Sequence, residues 1–422
     1  MAKRRISRTD LASAVVVALV GCGGDSGPFR EITERSGVEF VHTVELTGEF
    51  PRPEIMGGGC AVFDADGDGR LDLYFTNAGR SGGQGAANRL YLRRPDGSYS
   101  DATAASGLGD RGYGMGVAAG DIDNDGDLDV YAGNDGRDAL YRNNGDGTFT
   151  NVTERAGISA REWTCSVAFL DYDVDGYLDI FAVNYVAHDP AFHCWNKSGS
   201  RTYCSPRAFP GVADRLYRNL GDGTFEDASK KAGISTVASN GLGVIVEDFD
   251  DDGWPDVFVA NDGEANHLWM NNRDGTFRED ALSMGVAVNA HGATEASMGV
   301  AAGDVDQDGD LDLFMTHLRN ESNTLYLREG FGFADGSVPS GVAKPSYRFT
   351  ASGPRCSTSS TTATWTWPSP TAGSSRDPPT SAPTSTRSGT SSRSRTSSSS
   401  ATGAADSRTS RCRLPRSALR SR

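Results

Sequence analysis

The strongest constraint on this chain is a nine-residue acidic segment that recurs along it, seen most clearly as Asp121-Ile-Asp123-Asn-Asp125-Gly126-Asp127-Leu-Asp129. Carboxylates at positions 1, 3, 5 and 9 around a Gly at position 6 put oxygens on one side of a tight turn. That donor set suits a hard cation: calcium takes about six to eight oxygens at roughly 2.3–2.6 Å, and a backbone carbonyl at position 7 and water complete the shell. Without a cation, carboxylates this close would repel and raise one another's pKa. Where a helical calcium loop carries a Glu at position 12, an apolar run, Val130-Tyr131-Ala132, follows instead, so the flanking structure is predicted to be strand.

Four more copies carry the same ligand pattern: Asp64, Asp66, Asp68 and Asp72; Asp171, Asp173, Asp175 and Asp179; Asp248, Asp250, Asp252 and Asp256; Asp304, Asp306, Asp308 and Asp312. The position-7 carbonyls fall on Arg70, Asp127, Tyr177, Trp254 and Asp310. About five calcium sites are expected, with solvated acidic turns as the alternative. Successive first Asp residues are 57, 50, 77 and 56 apart, a unit of just over fifty residues with one insertion. A short apolar strand precedes and follows each loop. A second element then recurs, as in Asp138-Ala-Leu-Tyr-Arg-Asn-Asn-Gly-Asp-Gly-Thr-Phe149, Asp214 to Phe225 and Asn266 to Phe277, with degenerate versions from Asn88 and Asn323. Strand, Asp-Gly turn and strand make a hairpin, so each unit offers about four strands. Such units predict an all-β chain built as a β-propeller of four-stranded blades with five complete repeat units; a β-solenoid is the rival. The segment Phe29 to Val38 matches Phe149 to Ile158, the end of a unit. The chain thus begins with the end of a blade, and this orphan strand is expected to complete the final blade.

At these motifs the chain resembles the FG-GAP or VCBS repeat proteins, whose propeller is similar to the head of integrin α chains. Asn-Asp-Gly, Leu-Tyr-Arg-Asn-Asn-Gly-Asp-Gly-Thr-Phe and Val-Thr-Glu-Arg-Ala-Gly-Ile look most like the branch related to cartilage acidic protein, whose members often end in an ASPIC/UnbV domain. The resemblance covers about residues 28–350. It implies about seven blades in an intact member, calcium in the loops between strands, and no particular reaction.

The two ends read differently from the repeats. Lys3, Arg4, Arg5 and Arg8 precede the apolar run Leu11 to Val20, which at about ten residues is too short for a bilayer crossing of roughly 20 and reads as an export signal over 1–21. Leu19-Val20-Gly21-Cys22 resembles a bacterial lipobox, which makes Cys22 the lipidated first residue of the mature protein and residues 22–27 a flexible tether; an ordinary signal peptide is the plainer reading. The expected location is the bacterial envelope or cell surface, with the membrane engaged through a lipid anchor. The formal net charge is −15, but residues 351–422 contribute +9 of it, leaving −24 on the remainder, which argues against nucleic acid as a partner. From residue 351 Ser, Thr, Arg and Pro replace the repeat pattern. A disordered tail is the plain interpretation. Joining the last base of each codon to the first two of the next permits, from Thr350 onward, Phe-Asp-Phe-Glu-Asn-Asp-Gly-Asp-Leu-Asp-Leu, a sixth acidic loop, so 351–422 is expected to be the product of a one-base frameshift and to be unpacked.

Cys194 and Cys204 lie in the insertion, Ala187 to Val212, of the third unit and are expected to form a disulfide; zinc held with His188 and His193 is the alternative. Cys60 and Cys165 precede acidic loops and are expected to be buried. No nucleophile elbow, phosphate loop or His-Glu-x-x-His run is present. Five near-identical acidic loops are repetition, whereas acid/base catalysis needs two carboxylates in different environments. The expected function is therefore a non-enzymatic, calcium-stabilised module that binds a protein or glycan; a scaffold for an extracytoplasmic enzyme is the alternative.

Overall fold

The computed structural model describes residues 30–44, 46–78 and 85–351. The export segment, Cys22, the tether and the tail from residue 352 lie outside the described residues. Within them the chain is all-β, with five antiparallel four-stranded sheets and only short helical turns. Blade I comprises β1 (Cys60–Phe63), β2 (Asp72–Phe75), β3 (Arg89–Arg93) and β4 (Tyr99–Asp101); blade II comprises β5 (Gly114–Gly120), β6 (Asp129–Asn134), β7 (Ala139–Asn143) and β8 (Phe149–Asn151). Blade III is β9 (Thr164–Leu170), β10 (Asp179–Asn184), β13 (Arg215–Asn219) and β14 (Phe225–Asp227), and its insertion carries a small hairpin of β11 (Cys194–Trp195) and β12 (Arg201–Thr202). Blades IV and V follow as β15 (Gly241–Glu247), β16 (Asp256–Asn261), β17 (His267–Asn271), β18 (Phe277–Glu279), and β19 (Val300–Gly303), β20 (Asp312–Met315), β21 (Thr324–Glu329), β22 (Gly332–Asp335).

These sheets are propeller blades because their cores lie between them. β6, β10 and β16 are buried at every position, since each is covered on both faces. The hydrophobic clusters each span a junction: Phe63, Tyr74 and Leu90 of blade I meet Val130, Tyr141 and Phe149 of blade II. Equivalent clusters join II to III, III to IV and IV to V. A blade alone could not bury these faces, so folding requires neighbours. The first strands β1, β5, β9, β15 and β19 lie side by side as an arc. Close approach depends on glycine: a Cβ on Gly59, Gly116 or Gly243 would stand 2.6, 2.8 or 2.4 Å from the Met115, Cys165 or Met298 carbonyl oxygen of the next blade.

The connector leaving each blade docks on the following one. Gly107, Gly157, Gly233 and Gly285 end these connectors with φ of 80°, 79°, 87° and 83°. An added Cβ there would meet the carbonyl oxygen of Phe149, Phe225, Phe277 or Phe333 in the next blade's last strand at 2.9, 3.0, 3.3 or 2.5 Å. Gly37, with φ 78°, approaches Tyr99 O of blade I at 2.5 Å in the same way. The described part of the N-terminal segment is thus a connector, with a helical turn at Thr33–Ser36, and it pairs as a strand in no sheet. The half of the motif expected to complete a final blade starts at Phe29, which lies outside the described residues, as does the sixth acidic loop expected beyond Thr350. Gly341 ends the connector after blade V at φ 80°, and its Cβ would meet nothing within 4 Å.

Candidate metal centres and the capped face

Each acidic loop joins the first and second strands of its blade, so all five leave their sheets at the same end. Backbone amides shape them. In loop II, Asp121 Oδ1 and Oδ2 accept the N–H groups of Asp125 and Gly126 at 3.2 and 2.9 Å, and Asp125 Oδ1 accepts that of Asp127 at 3.0 Å. Loops I, III and IV repeat the first pair through Asp64, Asp171 and Asp248. Position 9 ties the loop to the sheet. Asp129 Oδ2 accepts Ile122 N–H at 2.9 Å and its Oδ1 accepts Asn143 N–H at 2.7 Å, with counterparts at Asp72, Asp179, Asp256 and Asp312.

Positions 1, 3 and 9 converge in four loops, with one oxygen from each within 4.8 Å of the others: Asp64/Asp66/Asp72, Asp121/Asp123/Asp129, Asp171/Asp173/Asp179 and Asp248/Asp250/Asp256; in loop V the group is Asp304/Asp306/Asp308. Asp68, Asp125, Asp175 and Asp252, at position 5, stand outside these groups, and the position-7 residues meet the loops through their N–H groups. Burial, reinforced by the neighbouring carboxylates, pushes Asp129, Asp179, Asp256 and Asp312 up to about 7 against the pull of their backbone donors. Asp72, Asp123, Asp250 and Asp306 are raised for the same reasons. The Oδ1 atoms of Asp66, Asp123, Asp173 and Asp250, all at position 3, and of Asp304 are buried with no hydrogen-bond partner. An orphaned carboxylate oxygen recurring in an all-oxygen cluster fits a hard divalent cation and no softer metal.

Two residues of the Leu-Tyr-Arg-Asn motif act at this end of the blades, and sequence reasoning did not give them a role. Asn143, Asn219 and Asn271 donate Nδ2 to the position-2 carbonyl of the preceding blade's loop, at Ala65 (3.2 Å), Ile122 (2.8 Å) and Tyr172 (2.8 Å). Each loop is thereby latched to its neighbour. Arg328 takes this place in blade V and pairs with Asp251 of loop IV at 3.1 Å. The arginine before the latch, Arg142 or Arg218, pairs with positions 3 and 5 of its own loop. The Asn recurring at this place in blades II, III and IV, with Arg before it in II and III, was the available signal.

The opposite end carries the connectors, the insertion and the N-terminal segment. Cys194 and Cys204 form a disulfide with Cα atoms 5.2 Å apart, so the zinc alternative does not arise there. The loop it closes packs on residues 47–56. Arg52 donates to Cys204 O at 2.9 Å and to Tyr185 Oη at 2.6 Å, and the Tyr185 hydroxyl donates to Asp262. Burial and the Asp262 charge push the Tyr185 hydroxyl up. Glu54 accepts from Thr47 N–H at 2.8 Å and Tyr203 Oη at 3.1 Å, while Arg201 pairs with Glu49. An open cleft of about 780 Å³ beside this cap is lined by Tyr113, Asn134, Asp135, Arg137, Glu154 and Arg161, among others. Cys60 and Cys165 lie in β1 and β9, half-buried rather than fully so. His267 and His317 are buried, and desolvation lowers both, His317 to about 4.

Five sheets with junction cores and one acidic loop each define a β-propeller module. The chain belongs to the FG-GAP-like repeat family, whose model matches residues 64–132, 121–182, 208–259 and 248–315, together more than half of it. It is 28% identical to cartilage acidic protein 1 of Xenopus tropicalis over 138 residues, 32% of this chain and 20% of that protein. Against the human cartilage acidic protein 1 the figures are 28% over 131 residues, 31% and 19%. The match thus spans about a fifth of these relatives' length. An Agrocybe aegerita lectin that recognises non-reducing terminal N-acetylglucosamine aligns over 65% of this chain and 78% of its own at 15% identity and a TM-score of 0.30, too loose a likeness to bear on fold or ligand.

Proposed function

We propose that this is an exported binding module whose acidic loops hold calcium and whose capped face engages a protein or glycan. The observation that carries the calcium reading is the orphaned, buried Oδ1 at position 3, repeated in four loops at the same place in the cluster. Calcium there lends rigidity at one end of the blades. At the other end the repeats diverge, and the insertion, the Arg52 network and the cleft supply a shaped, polar surface of the kind that carries recognition. Similarity to cartilage acidic protein supports an extracellular setting. The lipobox-like Leu19 to Cys22 supports anchoring at a membrane, and labelling with a fatty-acid analogue that survives Cys22→Ser would refute lipidation at that residue. The test of the whole reading is retention of proteins and glycans from a panel, with calcium and with chelator. Selective retention that chelation abolishes supports it. Turnover of a panel member without stable retention would instead make the propeller part of an enzyme.

A further inference from the structure

The five acidic loops share ligands but differ in one neighbour, a cation. In blade II, Arg142 Nε lies 2.9 Å from Asp123 Oδ2 and Nη2 3.7 Å from Asp125 Oδ2. In blade III, Arg218 Nε lies 2.6 Å from Asp173 Oδ2 and Nη2 3.0 Å from Asp175 Oδ2. Arg218 hydrogen-bonds the outer oxygens of positions 3 and 5, Arg142 pairs with the same two by charge without hydrogen-bond geometry at Nε, and each leaves the inner Oδ1 of position 3 without a partner. At the same place in β3, β17 and β21 the chain carries Leu92, Met270 and Leu327. Loops I and IV recover a single contact, through Arg70 to Asp68 and Arg273 to Asp252. In loop V no Lys or Arg pairs with Asp304, Asp306, Asp308, Asp310 or Asp312 among the described residues, and Asp304, only 4% exposed, has an Oδ1 that nothing satisfies. Arg328, next to Leu327, turns away to Asp251 of loop IV.

We infer that Arg142 and Arg218 are positioning residues acting as built-in counter-cations, which grade the loops so that II and III hold calcium more weakly than V. The inference rests on the calcium reading above. A guanidinium beside positions 3 and 5 neutralises part of the cluster when no ion is present and fixes both side chains in one orientation. When a dication enters, the same charge repels it, because the two cations share carboxylates only a few ångströms wide. Loop V gains no such relief when empty and meets no such repulsion when filled. Counted over ligand positions 3 and 5, the effect is graded by sequence: two contacts in II and III, one in I and IV, none in V; Arg328 adds a pair in loop IV at Asp251, which is position 4.

The experiment is calcium titration of the full chain by calorimetry, with terbium luminescence as a second readout. Wild type should show at least two classes of site. Replacing Arg142 or Arg218 by Met, the residue blade IV carries there, should tighten one site by about three- to tenfold and lower the thermal midpoint of the calcium-free protein. Leu327→Arg should weaken the tightest site. A single class of site unmoved by all three variants overturns the inference while leaving calcium binding intact. Looser binding in Arg142→Met with an unchanged calcium-free melt also overturns it, since the arginine would then only orient ligands. No calcium uptake by wild type overturns both this inference and the calcium reading.

Discussion

The docking of each connector on the next blade makes a paired prediction with its own control. Gly285 and Gly341 occupy the same place in successive units, with φ of 83° and 80°. An alanine at either position adopts the left-handed region at a cost of about 1–2 kcal/mol. At Gly285 the new Cβ also lies 2.5 Å from Phe333 O, a backbone atom in β22 that cannot rotate away, whereas at Gly341 it meets nothing. Forcing a methyl into such a packed site adds about 1–3 kcal/mol. Gly285→Ala should therefore destabilise by about 2–5 kcal/mol and Gly341→Ala by about 1–2, in equilibrium urea unfolding monitored by tryptophan fluorescence. Hydrogen exchange should rise in β21 and β22 for Gly285→Ala alone. Equal losses for the two variants would show that the carbonyl contact contributes nothing and that the blades are not joined through their connectors.

Three other consequences follow from local chemistry. Asp214 is buried and pushed up to about 7, above the ordinary carboxylate value of 3.8, so the folded state favours its protonated form, and the stability this group contributes is fully present below about pH 4 and is lost as pH rises towards 7. Asp214→Asn keeps the oxygen that accepts Asn184 N–H, as Asn266 does in blade IV, and should gain up to about 4 kcal/mol over wild type at pH 8 and little at pH 4; a pH-independent difference in urea midpoint would contradict this. Val174 holds φ 56° at position 4 of loop III, where loop II has Asn124 at 58°, and it is 54% exposed, so Val174→Asn should raise stability by about 1 kcal/mol in a thermal melt; a lower melt refutes it. Calcium at millimolar concentration, for sites near 10⁻⁴ M, adds about 1.4 kcal/mol per site and at most about 7 for five, so a chelator should lower the thermal midpoint by many degrees, and an unmoved melt would remove calcium from the fold.

The architecture was legible because it is repeated. Two motifs alternating in fixed order gave the five repeat units, four strands in each, and the acidic loops. The pair Cys194 and Cys204 gave the disulfide because two cysteines ten apart in one insertion admit few other roles once the N-terminal segment is read as an export signal. Less legible were contacts that cross from one unit to the next. Asn143 reaching Ala65, or Arg328 reaching Asp251, joins residues whose separation is set by blade spacing, which periodicity along one strand does not encode. In the N-terminal segment the motif contains both the end of a strand and the connector, and the carbonyl of Tyr99 beside Gly37 shows the connector half docked on blade I. Position 5 of loops II and III illustrates a different limit, because Asp125 and Asp175 pair with an arginine on another strand, Arg142 and Arg218.

The distribution of sameness across the two ends of the blades separates the two roles physically. At the loop end, backbone amides fix every carboxylate at positions 1 and 9 of loops I to IV in one pattern, so drift there is penalised in the same way in all four. At the connector end the second strands run on into Asn77, Asp135, Tyr185, Asp262 and His317, four residue types at five equivalent places, and one unit has gained a disulfide-closed insertion. Arg52 joins these variable parts by touching Cys204 O, Tyr185 and Asp262 at once. Arg52→Met would leave Asp262, 6% exposed, without its cation, a loss that for a buried pair costs about 3–5 kcal/mol but falls on contacts remote from the acidic loops. Amide exchange across residues 47–56 and 199–204 should accelerate at least tenfold, while calcium stoichiometry and affinity stay at the wild-type values. If stoichiometry fell with the cap, the two ends would be coupled through the blades, and recognition and ion binding would have to be one function rather than two.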